Sequence, residues 1–295
     1  MSAPDPRRCR SCDTVIERRH CGECGERWIP EGGEPFVSTV GAWLGDFFGT
    51  DGRVWQTLFA TVFRPGLLTV DYLRGKRQPY LRPLQLFVVC NVLYFIVQPF
   101  TLYNAFQNDL DGQVSRQAYM AITAEVVAEQ LRESTAELVE LGLDEDAAQE
   151  RAKVELVRRY DGTTGGLSKA FLFLMIPIVA VGLILVAPRA GPSTWVVLAT
   201  HLVCFMLVGV QLGWGLVLSA GRGPFFALDR NLQWLLGEGM SMILVIVYAT
   251  LATRRLDGRR WLLALGSGLL VTYWATTAVI AYRFALFWIT WRAIH

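Results

Sequence analysis

Four cysteines near the start of the chain have the spacing of a metal site. Cys9 and Cys12 form one C-x2-C pair, and Cys21 and Cys24 form a second pair after eight intervening residues. Each pair can hold a metal ion from a single tight turn, and two pairs supply the closed tetrahedral sulfur shell that is typical of structural zinc. The spacing therefore predicts one structural Zn²⁺ bound by these four thiolates, with iron as the alternative metal for the same sulfur ligands.

These cysteines could instead form two disulfides or remain free thiols, and the cellular compartment decides between these three states.

The composition indicates a membrane protein, because 53% of the 295 residues are hydrophobic and only 18% are charged. A soluble domain averages about 25% charged residues. The net charge is only +2, so the chain lacks the strongly basic field of a nucleic-acid-binding protein, and no nucleic-acid partner is expected.

Five stretches are apolar over about 20 residues, which is the length a helix needs to cross a bilayer. They cover residues 84–103, 167–187, 195–220, 231–252 and 261–291. Their continuous hydrophobicity favours transmembrane helices over the alternating strands of a barrel. The fifth stretch is too long for one straight span, so we expect it to tilt or to break near Arg283.

Lys and Arg residues cluster beside the predicted spans on one side of the membrane. They are Arg74, Lys76, Arg77 and Arg82 before the first span, Arg189 after the second, and Arg254, Arg255, Arg259 and Arg260 after the fourth. The positive-inside rule makes these segments cytoplasmic, which predicts a cytoplasmic N-terminus and an external C-terminus. The four N-terminal cysteines then face a reducing cytosol, where metal binding is favoured over disulfides.

Residues 1–28 form the predicted zinc-ribbon-like head, and residues 29–83 connect it to the first span. Bulky apolar residues recur at helical spacing in two parts of this connection, around residues 36–48 and 55–63. Each helix is too short to cross a bilayer, so we expect both to lie in the cytoplasmic interface or across the inner mouth of the bundle. The alternative is that they are ordinary buried helices of a small soluble domain.

Four basic residues between these helices and the first span are candidates for contact with anionic lipid headgroups or another anionic ligand. They are Arg74, Lys76, Arg77 and Arg82. Near a membrane surface, each such residue contributes roughly 1 kcal/mol of attraction to anionic lipids. The alternative is a simple cytoplasmic anchor that follows the positive-inside rule.

Several short motifs resemble an uncharacterised family of bacterial multispan membrane proteins, a domain of unknown function with an N-terminal zinc-ribbon-like element. The motifs are the double C-x2-C pattern, Arg64-Pro65-Gly66, Tyr72 to Pro83 with Gly75, Lys76, Arg77 and Tyr80, and Phe87 with Asn91. The resemblance covers roughly residues 9 to 91, and the later spans share only their hydropathy. It implies a location in a bacterial inner membrane and leaves the activity open, because the family has no known one.

Residues 104–166, between the first and second spans, are predicted to be external. They contain 13 Asp or Glu and 6 Lys or Arg, and their composition is helix-forming apart from Gly142. We expect a hairpin of two helices at about residues 115–141 and 144–160. Its acidic surface could bind a cation or a partner, and the simpler interpretation is a solvated face.

Ionisable residues within spans are candidates for function. Glu238 and Arg283 both lie near the outer ends of their spans, and a pairing would reduce the cost of burying either charge. The alternative is that they carry a proton or an ion. His201 is the only histidine within a span. We interpret it as a hydrogen-bonded packing residue, and the alternative is a metal or proton site.

No sequence motif of a known catalytic site is evident, so no catalytic residue is assigned. The predicted fold is an all-α polytopic membrane protein: a five-helix transmembrane bundle with a small cytoplasmic zinc-ribbon-like head and an outer helical hairpin. The predicted function is a non-enzymatic scaffold, sensor or accessory subunit, surrounded by membrane lipids, whose head docks a cytosolic partner. Two alternatives remain: a small transporter or channel that uses Glu238, Arg283 and His201, and a lipid-acting membrane enzyme.

Overall fold

The computed structural model describes most of the chain after its cysteine-rich start. The described residues are Arg8, Thr14, Val15, Gly22, Glu23 and the ranges 52–76, 79–101, 104–186, 191–221, 228–229, 232–233, 235–258 and 260–295. Outside them lie Cys9, Cys12, Cys21, Cys24, Arg77, Arg189, Arg259 and the helix predicted around residues 36–48. The chain divides into two units, Met1–Asp51 and Gly52–His295.

The described residues of the first unit lie beside the two cysteine pairs in the sequence. Arg8 and Val15 pair as an isolated antiparallel bridge, and Gly22 and Glu23 form a turn. Arg8 immediately precedes the first C-x2-C pair, and Gly22 with Glu23 separates the two cysteines of the second pair. A turn therefore lies within the second C-x2-C spacing.

The described residues of the second unit are mostly helical, and five helices are long and apolar enough to cross a membrane. The five are Pro83–Phe100, Glu145–Ile184, Pro192–Ala220, Leu235–Asp257 and Trp261–Ile294. Each apolar stretch of the sequence falls on one of them. The prediction of a helical protein with five candidate spans is therefore confirmed.

The individual helices are numbered in chain order. They are α1 (Arg53–Phe63), α2 (Leu67–Leu73), α3 (Pro83–Val97), α4 (Leu110–Ser115), α5 (Met120–Glu140), α6 (Glu145–Ala170), α7 (Met175–Val186), α8 (Pro192–Phe205), α9 (Gly215–Ala220), α10 (Met240–Asp257) and α11 (Trp261–Ile294). Two π-helical segments, Met206–Trp214 and Leu235–Gly239, join α8 to α9 and precede α10. We call the end of the bundle with the α10–α11 loop the arginine end, and the end with α5 and α6 the hairpin end.

The hairpin between the first two spans has two helices, and the second of them is longer than expected. Gly142 lies in the connecting turn with φ of +93°, which is the backbone conformation that glycine favours. Helix α6 does not end near residue 160. It continues to Ala170 and, through a 3₁₀ turn at Phe171–Leu174, leads directly into α7. The second span and the hairpin are therefore one nearly continuous helical element.

Helix α11 runs through Arg283 without interruption, so a break near that residue is excluded, and the alternative, a tilted span, stays a prediction. Its 34 residues measure about 51 Å at a rise of 1.5 Å per residue, whereas the hydrocarbon core of a bilayer is about 30 Å thick. The surplus length packs against the hairpin. Phe287 joins a small core with Val127, Leu156 and Tyr160, so these last turns do not need a bend to find an apolar partner.

Helix α1 has two apolar faces, which explains its aromatic content. Val54 and Leu58 are buried in the main core, whereas Trp55 is 74% exposed and Phe59 and Phe63 are also exposed. The sequence pattern treats Leu58 and these aromatics as a single face. The structure divides them, because packing against the bundle covers only part of the helix surface, and the remaining part is free to contact lipid.

Candidate ligand-binding cavity

A cavity of about 990 Å³ lies in the hairpin-end half of the second unit. Its walls come from the segment after the first span, from the π-helical part of the third span, and from α10 and α11. Its volume is at the upper end of the range for small-molecule sites. The cavity is therefore the candidate functional site.

One continuous face of α11 forms the longest wall. Thr272, Ala275, Thr276, Val279, Ile280 and Arg283 line the cavity. These positions share one side of a helix, because residues three and four apart lie next to each other. The wall extends over about 17 Å from its first to its last residue at 1.5 Å per residue, and Arg283 stands at its hairpin-end limit.

The third and fourth spans contribute π-helical backbone to the cavity. Gln211 belongs to the Met206–Trp214 segment and Glu238 to the Leu235–Gly239 segment, and both side chains line the cavity. The indole Nε1 of Trp214 donates a hydrogen bond to the backbone carbonyl of Leu236 at 2.7 Å, which joins the two segments. Such widened turns interrupt regular helix pairing and occur often at functional sites.

The chain that follows the first span is held over the cavity by side chains of two other spans. The backbone N–H of Ala105 donates to Gln211 Oε1 at 2.9 Å, and Arg283 Nε donates to the carbonyl oxygen of Ala105 at 2.8 Å. Asn104 Oδ1 accepts from the hydroxyl of Tyr94 at 2.7 Å. These contacts satisfy backbone groups that no helix pairs, which fixes the position of the segment.

Charged residues of both signs line the hairpin end of the cavity: Asp109, Arg116, Glu238 and Arg283. Arg116 lies 3.7 Å from a carboxylate oxygen of Asp109 and 3.1 Å from one of Asp111, so that guanidinium is already paired. The site therefore has no strong excess of either charge, and it favours a ligand that carries several kinds of polar group.

Tyr119 borders this charged end. Burial raises the pKa of its hydroxyl to about 12, and the nearby Arg283 acts in the opposite direction. The hydroxyl thus stays protonated at neutral pH and donates to Gln113 Oε1 at 2.5 Å. Its ring contacts that of Phe284, with 4.9 Å between the ring centres. Tyr119 therefore fixes the hairpin against α11 beside the cavity.

The deeper part of the cavity offers mostly apolar surface although it contains hydroxyl groups. Ser241, Thr272 and Thr276 each donate to the backbone carbonyl four residues earlier, at distances of 2.7, 2.8 and 3.0 Å. A hydroxyl bonded to its own helix has little left to donate to a ligand. Met242 and Val279 line the same region. The cavity is therefore polar at the hairpin end and predominantly apolar toward its depth.

The structure brings together only two of the three ionisable residues that were predicted within spans. Glu238 and Arg283 line the same cavity, and their direct pairing stays a prediction. His201 is elsewhere, because its Nδ1 lies 2.8 Å from the hydroxyl oxygen of Thr69 in α2, and both side chains are buried. His201 therefore has the packing role expected from the sequence and does not border the cavity that holds the other two.

Sequence reasoning missed the amide-rich segment after the first span. Asn104, Gln107 and Asn108 line the cavity, yet the sequence placed them in an acidic external loop. Their signal was the density of amide side chains just beyond an apolar helix, which differs from the charged composition of the following hairpin. Their proximity to Arg283 depends on the tertiary structure.

The basic residues before the first span lie at the arginine end. Arg74, Lys76 and Arg82 are exposed, and Lys76 Nζ is 3.8 Å from a carboxylate oxygen of Asp71. Exposure agrees with either a headgroup contact or a simple anchor, and the choice between these stays open as a prediction.

In the part of the chain that the structure describes, no group of three His, Cys, Asp or Glu side chains could hold a metal.

Comparison with known proteins adds one finding, for the segment that begins just before α1 and ends within α3. Residues 51–95 match a family described as "Protein of unknown function (DUF3667)". No curated protein and no solved structure matches the chain. The DUF3667 match includes the Arg64-Pro65-Gly66 and Asn91 motifs, and it ends before the first cavity-lining residue, Gln98.

The matched residues include α1, α2 and most of α3. Gly66 has φ of +76°, and a Cβ at this position would lie 2.7 Å from the Cα of Ala252 in α10. The guanidinium of Arg255 donates to the carbonyl of Pro65 at 2.8 Å. The Thr69–His201 contact lies one turn further along. The matched residues therefore build a close junction between α2 and the third and fourth spans.

Proposed function

We propose that the protein is a multi-pass membrane protein that binds a ligand in the cavity and acts as a sensor, scaffold or accessory subunit. The observation that carries this proposal is the cavity itself, which is wide, polar at one end and lined by residues of four candidate spans. Ligand sites combine an apolar lining with a few placed polar groups, and the two zones of this cavity have that arrangement.

Packing at the arginine end favours binding over conduction. Every side chain of the third span from Val197 to Leu207 is buried. Two cavities of about 10 Å³ each lie in this half, one beside Leu202 and one beside His201. A volume of this size holds about one water molecule. Among the described residues, the third span toward the arginine end is therefore closely packed, beside cavities that are much smaller than the large one.

The proposal includes a structural zinc head in the first 28 residues, on the cytoplasmic side of a bacterial inner membrane. The Arg8–Val15 bridge and the turn at Gly22 and Glu23 support it, because a C-x2-C pair must bend to bring two sulfurs to one ion. Zinc would stabilise a segment too short to build a hydrophobic core. The head would then present a folded surface to a cytosolic partner.

Side-specific thiol labelling tests the ligand cavity. Thr276→Cys places a thiol in the cavity wall, and Leu202→Cys places one in the packed half. In right-side-out and inverted vesicles, a membrane-impermeant maleimide should modify Thr276→Cys only from the hairpin-end side and should not modify Leu202→Cys. Peptide mass spectrometry identifies the modified residue, so the native cysteines do not confuse the result. Absence of labelling at Thr276→Cys from both sides would overturn the proposal.

Transport is the second candidate, because Glu238 and Arg283 share a cavity within the span region. Labelling of Thr276→Cys from both sides would favour it, since an alternating path exposes one site to each side in turn. Proteoliposome flux that is lost in Glu238→Gln with an intact fold would also favour transport. Flux equal to that of empty liposomes would favour binding alone.

A further inference from the structure

The charged end of the cavity lies at headgroup depth. Arg283 is 22 residues beyond Trp261 in α11, and Glu238 is 19 residues before Asp257 at the end of the fourth span. At 1.5 Å per residue these separations correspond to about 33 Å and 28 Å, close to the roughly 30 Å of the hydrocarbon core. By the same rise, Thr272 is about 17 Å along α11 from Trp261, which is near the middle of the hydrocarbon core. The cavity thus extends from the membrane surface to about the middle of the bilayer.

The two zones of the cavity match this depth. Amide and charged side chains lie at the surface level, where headgroups are found, and Met242, Val245, Ala275 and Val279 lie below them. Met242 is also 38% exposed, so this zone offers accessible apolar surface to an acyl chain.

Arg283 supplies a fixed cation at the boundary of the zones. Its Nε is held by the carbonyl of Ala105 at 2.8 Å, which orients the planar guanidinium. Its two terminal amino groups make no hydrogen bond to the residues that the structure describes. A guanidinium with two parallel donors suits the paired oxygens of a phosphate group. The buried Nδ2 of Asn108, which lines the same cavity from the segment after the first span, also lacks a partner among the described residues.

We propose that the ligand is a membrane phospholipid, with its phosphate at Arg283 and one acyl chain along the apolar wall of α10 and α11. This inference rests on the proposed ligand-binding function and names its ligand class. The carboxylate of Glu238 and the amide oxygen of Gln107 accept hydrogen bonds from hydroxyl or ammonium groups of the headgroup, whereas Asn104 Oδ1 already accepts from Tyr94 and from the N–H of Phe106. A free anion would use Arg283 alone and would leave the apolar zone without an occupant.

Binding of short-chain lipids to the purified full chain tests the proposal. The probes are dioctanoyl phosphatidylglycerol, dioctanoylglycerol with the same acyl chains and no phosphate, and inorganic phosphate. Affinities are measured by calorimetry in an uncharged detergent. We expect the phospholipid to bind the native chain, and we expect Arg283→Gln to weaken its affinity by about tenfold or more. The affinity of the native chain for dioctanoylglycerol should be no higher than the affinity of Arg283→Gln for the phospholipid. Inorganic phosphate should neither bind nor compete.

Matched variants separate the cavity from general effects. Arg292→Gln makes the same change on the same helix at an exposed position outside the cavity, and it should leave binding unchanged. Met242→Trp should fill the apolar zone and weaken binding, whereas Ile243→Trp, at the exposed neighbouring residue outside the cavity, should not. Equal binding by Arg283→Gln and Arg292→Gln would overturn the phosphate contact.

Other results would overturn the proposal in distinguishable ways. Full competition by inorganic phosphate would assign the site to a soluble anion, and equal affinity for dioctanoylglycerol would show that phosphate is not recognised. If no lipid binds while Thr276→Cys is still labelled only from the hairpin-end side, the lipid inference fails and the proposed ligand cavity stands. If that thiol is not labelled from either side, both fail.

Discussion

Arg283 Nε donates a hydrogen bond to the backbone carbonyl of Ala105, 178 residues earlier in the chain, at 2.8 Å. The backbone N–H of Ala105 donates to the side chain of Gln211. One peptide position after the first span is thus held by side chains of the third and fifth spans. This arrangement gives the cavity a wall of irregular backbone near its hairpin end, in which the N–H and carbonyl of Ala105 are both satisfied, as irregular structure near a membrane requires.

Loss of this contact should destabilise the protein. Gln211→Leu leaves the buried N–H of Ala105 without an acceptor, and we expect the free energy of unfolding in detergent to fall by about 1–3 kcal/mol. Gln149→Leu, at an exposed position of α6, is the control and should change it by less than about 0.5 kcal/mol. A Gln211→Leu protein as stable as the control would show that the contact is not maintained.

Gly66→Ala should be more harmful than the same change at another glycine with positive φ. Gly66 and Gly142 have φ of +76° and +93°, but only at Gly66 would the new Cβ meet a neighbour, 2.7 Å from Ala252 Cα. Both variants pay the backbone cost of about 1–2 kcal/mol, and overlap with α10 adds about 1–3 kcal/mol at Gly66. Thermal unfolding of both proteins gives the comparison, and equal losses would contradict the close approach of α2 to the fourth span.

Thr69→Val should leave the buried Nδ1 of His201 without its partner. We expect a loss of about 1–3 kcal/mol in the free energy of unfolding, whereas the double variant Thr69→Val with His201→Leu should recover part of it, because neither polar group remains. Denaturation of the two single variants and the double variant forms a mutant cycle. Strictly additive losses would mean that the two side chains do not interact.

Zinc content tests the N-terminal head. Metal analysis of the purified chain should find about one zinc per molecule, lost when Cys21→Ser is combined with Cys24→Ser. Cys90→Ser is the control, because Cys90 is buried in the first span, and that variant should retain its zinc. Iron in place of zinc would select the alternative metal, and a native protein without bound metal would refute the site.

Reporter fusions test the orientation. A reporter after His295 should be active in the periplasm, and one after Asp257 should be active in the cytoplasm, because Arg254 and Arg255 flank that junction. A cytoplasmic signal from the C-terminal fusion would reverse the predicted topology. It would also place the cavity mouth on the cytoplasmic side.

Local properties of the sequence were enough to locate the five apolar helices and the turn at Gly142. Hydropathy and glycine preference depend on neighbours in the chain, so a single stretch carries the signal. The continuation of α6 into α7 could not be derived this way, since the change from charged to apolar residues near Leu167 marks where a membrane begins and does not end a helix. For α11 the length of the apolar stretch left a tilt and a break as alternatives, and only the continuous helix through Arg283 excluded the break.

The sequence by itself determined that this is a helical chain with five membrane-length segments, and it marked Glu238, Arg283 and His201 as unusual within them. Only the tertiary structure decided what these residues contact. It placed the first two on one cavity and joined His201 to Thr69, 132 residues away. The physical reason is that apolarity along a segment sets membrane insertion locally, whereas a hydrogen bond within the bundle depends on how helices distant in sequence pack together.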